Sequence, residues 1–92
     1  MKATAELQVI PIGHGVSVRK EITAVLELLQ DRGFLVEPHA SGTNIEGEMA
    51  DILTAVSDVH QALHDTGTVR IVSYLKLETR TDKNPTLAGK QL

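Results

Sequence analysis

Four places along the chain carry side chains whose types and spacing suit chemistry. Gly13-His14-Gly15-Val16-Ser17 leads from an apolar strand-like run into a helical one. Its glycines permit positive φ and close backbone approach, and free N–H groups at a helix start attract anions or polar ligands. The same residues also make an ordinary tight turn followed by a Ser17 N-cap. An unperturbed imidazole titrates near neutrality, so His14 is a residue type suited to proton transfer, yet no carboxylate partner stands near it in the sequence. The second place is Ser41-Gly42-Thr43-Asn44-Ile45-Glu46-Gly47-Glu48, where Thr43 and Asn44 offer donors and acceptors. Glu46 there is able to accept two hydrogen bonds from an amino-substituted ring; Gly-Thr-Asn is equally common turn chemistry. His60 and His64 have the i, i+4 spacing that lets two imidazoles reach one Zn²⁺. Residues 61–63 are Gln-Ala-Leu, so the glutamate of a His-Glu-x-x-His site is missing and no metal is expected. Last, Arg80 and Asp82 form a charged strand end, ordinarily a solvated ion pair of little energetic weight.

The elements that position these groups follow from periodicity. Val18, Ile22, Val25, Leu26 and Leu29 form one stripe of a helix over 18–32, stopped by Gly33. Met49, Ile52, Leu53, Val56, Val59 and Leu63 form a second, stopped by Gly67. Residues 3–10 alternate as a strand, with Ala5, Leu7 and Val9 opposite Thr4, Glu6, Gln8 and Ile10, and Pro11 is expected to end the pairing. Residues 69–79 alternate again, and residues 34–47 read as two short strands turning at Gly42, the first marked as an edge by Pro38. The order β-α-β-β-α-β, closed by right-handed crossovers, predicts an α+β, ferredoxin-like sandwich. Its four-stranded antiparallel sheet has order 4-1-3-2, with both helices on one face. The chain 1–92 is expected to be a single domain, with 83–92 as a C-terminal tail carrying a helical turn after Pro85.

Composition narrows the function. The 92 residues contain no cysteine, which removes disulfides, thiolate metal sites and cysteine nucleophiles together. A net charge of −3 and a single tyrosine, a single phenylalanine and no tryptophan disfavour nucleic acid as a partner. No apolar run approaches the roughly 20 residues of a membrane span, and the opening Met-Lys-Ala-Thr-Ala-Glu does not read as a signal peptide. A cytoplasmic protein without a membrane partner is expected. The sheet face away from the helices would carry Glu6, Gln8, Ile10, Arg70, Val72, Tyr74 and Lys76, with Glu37, His39 and Glu46 from the hairpin. That face, and the exposed edge of the last strand, predict a homo-oligomer.

Three segments carry a family resemblance. AELQVIPIGHG, GTNIEGE and YLKLETRTDK occur in an order and spacing that resemble the YkoF-like thiamine-binding family of small ferredoxin-like proteins. The resemblance covers Ala3 to about Lys83. It implies dimers built through extended sheets that stack into tetramers, and a non-catalytic binder of thiamine or its hydroxymethylpyrimidine half, with no cofactor. By matching motif positions it implies ligand contacts at Gly13, Ser17, Thr43 and Glu46, and an interface at Arg80 and Asp82. His14 departs from the usual small hydroxyl residue, Ser41 from a commonly apolar one, and the glycine expected near Glu78-Thr79 is absent.

Two other function classes compete. Gly15-Val16-Ser17-Val18-Arg19 is weakly similar to the anion loop of acylphosphatases, which share this fold; an acylphosphatase-like hydrolase would use the 13–19 loop, with Arg19 binding phosphate. Its second strand, LVEPHA, lacks the asparagine that orients water in that family. The third class is a structural or regulatory subunit with no small-molecule ligand.

Overall fold

The computed structural model describes residues 1–13 and 19–90; His14, the Ser17 cap and the expected helix start at Val18 lie outside them. The chain runs β1 (Lys2–Ile12), α1 (Arg19–Asp31), β2 (Leu35–His39), β3 (Gly42–Glu48), α2 (Met49–Asp65) and β4 (Arg70–Glu78), then a 3-10 turn at Ala88–Lys90. The sheet order is β2-β3-β1-β4 with every pair antiparallel. This is the expected βαββαβ topology, read from the other edge.

Strand alternation sorts the side chains as expected. Ala3, Ala5, Leu7 and Val9 of β1 face the helices, beside Ile45 of β3, and meet Val25 and Leu29 of α1. Ile52, Ala55, Val59 and Leu63 of α2 complete that core. Each large side chain buried here contributes about 1.5–3 kcal/mol. The buried line of α2 passes through Ala55, while Leu53 is 44% exposed. One residue along a helix turns the side chain by about 100°, so Leu53 leaves the stripe that Ile52 occupies.

α2 ends in a Schellman arrangement. Gly67 (φ +108) donates to the His64 carbonyl at 3.1 Å, and Thr68 donates to that of Leu63 at 3.0 Å. At the other end of the sheet, Gly47 lies under the Phe34 ring, where a Cβ would stand 2.6 Å from Cδ1.

Two expectations about strand ends change. β1 does not stop at Pro11: Pro11 pairs opposite Ile71 and Ile12 opposite Arg70. The β3 ladder has already ended at Leu7–Thr43, so β1 has a neighbour on one side only beyond that point. A proline is tolerated there as on an edge strand. The residues after Asp82 also do more than trail. Pro85 and Leu87 are buried, and the segment lies on the sheet face opposite the helices.

Candidate functional site

β1 outruns β3, and the difference leaves a notch in the sheet. Among the described residues, the side of β1 turned away from β4 has no strand partner beyond Leu7, so its backbone N–H and C=O groups there lie outside the ladder with β3. α1 roofs the gap, and the β2–β3 hairpin walls it. The result is a cavity of ≈ 320 Å³. Its apolar walls come from Leu7, Val9 and Pro11 of β1 with Ile22 and Val25 of α1. The hairpin side runs from Pro38 to Thr43.

Thr43 is the polar residue set deepest in this wall. It is 6% exposed and lines the cavity. Its register opposite Leu7 puts it on the helix side of the sheet, and among the described residues its hydroxyl has no hydrogen-bond partner. A threonine hydroxyl both donates and accepts hydrogen bonds, so at the cavity wall this group suits a ligand that bonds it. Gly42 permits the tight approach next to it: a Cβ there would stand 2.7 Å from the Leu7 carbonyl oxygen.

At the rim, the Nδ1 atom of His39 accepts the Ser41 backbone N–H at 3.3 Å. The proton must then sit on Nε2, which donates toward Asn44 Oδ1 at 3.2 Å and Glu6 Oε2 at 3.3 Å. The imidazole thus ties the hairpin to β1.

The four residues implied by the resemblance do not share one surface. Thr43 lines the cavity. Gly13, exposed with φ +90, lies two residues past Pro11 of the cavity wall, and Ser17 falls outside the described residues. Glu46 stands on the opposite face, paired in register with Thr4, and its Oε1 accepts the Leu87 backbone N–H at 2.8 Å. Alternation decides this split: positions 43 and 46 differ by an odd number, so their side chains point to opposite faces.

The other chemical candidates have partners of their own. His60 Nε2 meets the Ser73 hydroxyl at 2.8 Å, and His64 Nδ1 donates to the Thr68 carbonyl at 2.7 Å. Among the described residues no group of three or more His, Asp or Glu side chains could hold a metal. Arg80 and Asp82 form a two-pronged pair, with Nε–Oδ1 at 2.8 Å and Nη2–Oδ2 at 2.5 Å. This contact draws the Asp82 carboxyl below its usual range and raises Arg80. Arg19 is the exposed first residue of α1, and its carbonyl accepts the Thr23 hydroxyl at 2.8 Å.

Ile10, a sequence candidate for an apolar wall, lines the cavity, but Leu7, Val9, Ile22 and Val25 join it there only through the fold. A signal for that wall was there: Pro11 inside a strand pattern marks where β1 loses a neighbour.

Comparison with known proteins places these features among relatives. The profile of a family described as thiamine-binding protein matches residues 5–92. A UPF0045 protein of Synechocystis is 39% identical over 90 residues, covering 98% of this chain and 74% of its own length. A UPF0045 protein of Methanocaldococcus jannaschii is 38% identical over 90 residues, covering 97% of this chain and 88% of the relative. Its crystal structure superposes with a TM-score of 0.90, over 97% of this chain and 91% of that one. A Thermotoga maritima protein assigned provisionally to thiamine biosynthesis or salvage shares the fold, with a TM-score of 0.87 at 23% identity over 98% of this chain and 95% of its own.

Proposed function

Because this chain belongs to the thiamine-binding protein family, we propose that it binds thiamine or the hydroxymethylpyrimidine half of thiamine, without catalysis, in the notch beside β1. The observation that carries this reading is Thr43, a residue 6% exposed whose hydroxyl has no partner among the described residues, at an apolar cavity. A flat ring fits such a place. Aliphatic side chains meet its faces, while the hydroxyl and the free side of β1 meet its polar edge. Gly13 and Ser17 remain proposed contacts by their family positions, and Glu46 in this reading holds the tail.

Self-association and a cytoplasmic setting belong to the same proposal. β4 has β1 as its one neighbour in the sheet, and Tyr74 on its open face is 63% exposed. Both features support a dimer or tetramer joined through the sheet. Light scattering at micromolar concentration should give a multiple of the 10.0 kDa chain mass; a monomer mass would count against it.

Calorimetric titration with thiamine and with hydroxymethylpyrimidine tests the binding reading. Saturable heat from at least one, weakened by Thr43→Val in a protein that keeps its mass and fold, is expected. No heat from either ligand contradicts it.

A further inference from the structure

The chain beyond β4 folds into a loop of its own on the open face of the sheet, at the end of β1 away from the notch. It is pinned along its length. Arg80 holds Asp82 through two contacts, Leu87 gives its N–H to Glu46 at 2.8 Å, and Lys90 Nζ returns to Glu78 Oε1 at 2.5 Å. Pro85 and Leu87 are buried against the sheet. The segment has the form of an Ω-loop, with its ends tied together by side chains.

This loop encloses a polar concavity of ≈ 140 Å³. Arg80, Lys83 and Lys90 line it, with Asn84, Thr86 and one carboxylate, Glu78. Asp82 offsets Arg80 and Glu78 offsets Lys90, so the surplus positive charge is that of Lys83, which no carboxylate holds among the described residues. Neutral donors accompany it. Thr86 Oγ1 accepts the Gly89 N–H at 3.0 Å, which leaves the hydroxyl proton to be donated elsewhere. Gly89 permits that contact, since a Cβ there would stand 2.9 Å from Thr86 Oγ1. The Asn84 amide supplies further N–H groups, and Arg80 and Lys90 keep some that Asp82 and Glu78 do not use.

A tetrahedral oxyanion suits both properties of this place. Its several oxygens accept from donors arranged around it, and charge-assisted bonds from lysine and arginine are the strong ones. The volume is well under the roughly 300 Å³ at which sites for drug-sized ligands begin, which fits one phosphoryl group. We infer that the loop from Glu78 to Lys90 binds phosphate, either as the free ion or as the end of a phosphate monoester. Lys83 supplies the charge, and Asn84 and Thr86 supply oriented hydrogen bonds. The site lies on the other face of the sheet from the notch and does not depend on the function proposed above.

Amide resonances of the labelled full chain, followed at low ionic strength during titration, test this. The titrants are inorganic phosphate, glycerol phosphate and, at matched ionic strength, sodium chloride. Saturable shifts at Lys83, Thr86 and Gly89 are expected with phosphate and not with chloride. Glycerol phosphate reads the source: saturation by it as well assigns the site to esters, and its failure beside phosphate assigns the site to the free ion. Lys83→Ala, at an exposed position, should weaken phosphate about tenfold while the resonances of β1 stay in place. Lys20→Ala, an exposed lysine of α1, should leave the affinity unchanged. Absence of saturation by phosphate overturns the inference. So does an equal response to chloride, or a loss from Lys20→Ala as large as that from Lys83→Ala.

Discussion

Leu87 and Glu46, 41 residues apart in sequence, are joined across the open face of the sheet by an N–H···Oε1 hydrogen bond of 2.8 Å. Glu46 of β3, Thr4 of β1 and Glu78 of β4 form one row across three strands. The tail spans that row. Leu87 bonds Glu46 at one side, and Lys90 Nζ reaches Glu78 Oε1 at 2.5 Å on the other. Thr4, on the face without helices, is consequently 3% exposed, and Leu87 is 6% exposed.

Truncating the tail's apolar anchor should therefore destabilise the whole fold. Leu87→Ala is expected to cost about 2 kcal/mol, the low end for a buried leucine because a terminal segment can relax. Glu46→Ala should cost about 1–2 kcal/mol, since it removes the charged acceptor of a half-buried N–H. Urea unfolding checks both. Unchanged midpoints would mean the tail contributes nothing to stability.

Thr43→Val should behave in the opposite way. It replaces a hydroxyl without a partner among the described residues by a methyl of similar volume, so stability should hold or rise slightly. Affinity for the pyrimidine should fall about tenfold, equivalent to about 1.4 kcal/mol. Paired thermal melts and titrations read the two effects separately. A loss of stability with unaltered affinity would contradict the role given to this side chain.

Acid should weaken the fold through three exposed carboxylates. A hydrogen bond from the chain's terminal ammonium lowers Glu48, one from Lys90 lowers Glu78, and one from Arg80 lowers Asp82. A carboxyl whose pKa is depressed by folding stabilises the folded state above its unfolded value, about 4 for these groups. That contribution disappears as pH falls through the lower folded value. Urea midpoints should be flat above about pH 5 and decline below about pH 4. Glu78→Gln should reduce the decline, and an identical profile in that variant would exclude the Lys90 contact as its source.

Gly47→Ala tests the packing of Phe34. The added Cβ would stand 2.6 Å from Cδ1 and 2.9 Å from Cε1 of the ring, so Phe34 must shift. A loss of about 1–3 kcal/mol is expected. Phe34→Leu combined with Gly47→Ala should recover part of it, and no recovery would locate the strain elsewhere.

Much of this molecule is legible in its sequence because its core residues obey one period at a time. Alternation in β1 and β4 and the stripes of α1 and α2 determine which side chains meet, and hence the order of the sheet. The site is less legible. Thr43 and Glu46 look like neighbours in a seven-residue strand, yet pleating turns them to opposite faces. The cavity arises from a difference in strand length, a tertiary property signalled in sequence by Pro11 alone. The docking of Leu87 escaped the periodic reading because one apolar residue in a polar tail has no period, and its partner Glu46 belongs to another element.

A crystal structure of the full chain soaked with hydroxymethylpyrimidine tests the central claim most directly. The account predicts ring density between α1 and the free side of β1, with the Thr43 hydroxyl within hydrogen-bonding distance of a ring substituent and the Leu87–Glu46 contact intact. Density for the ring on the open face of the sheet, with Glu46 released from Leu87 to hold it, would contradict the account.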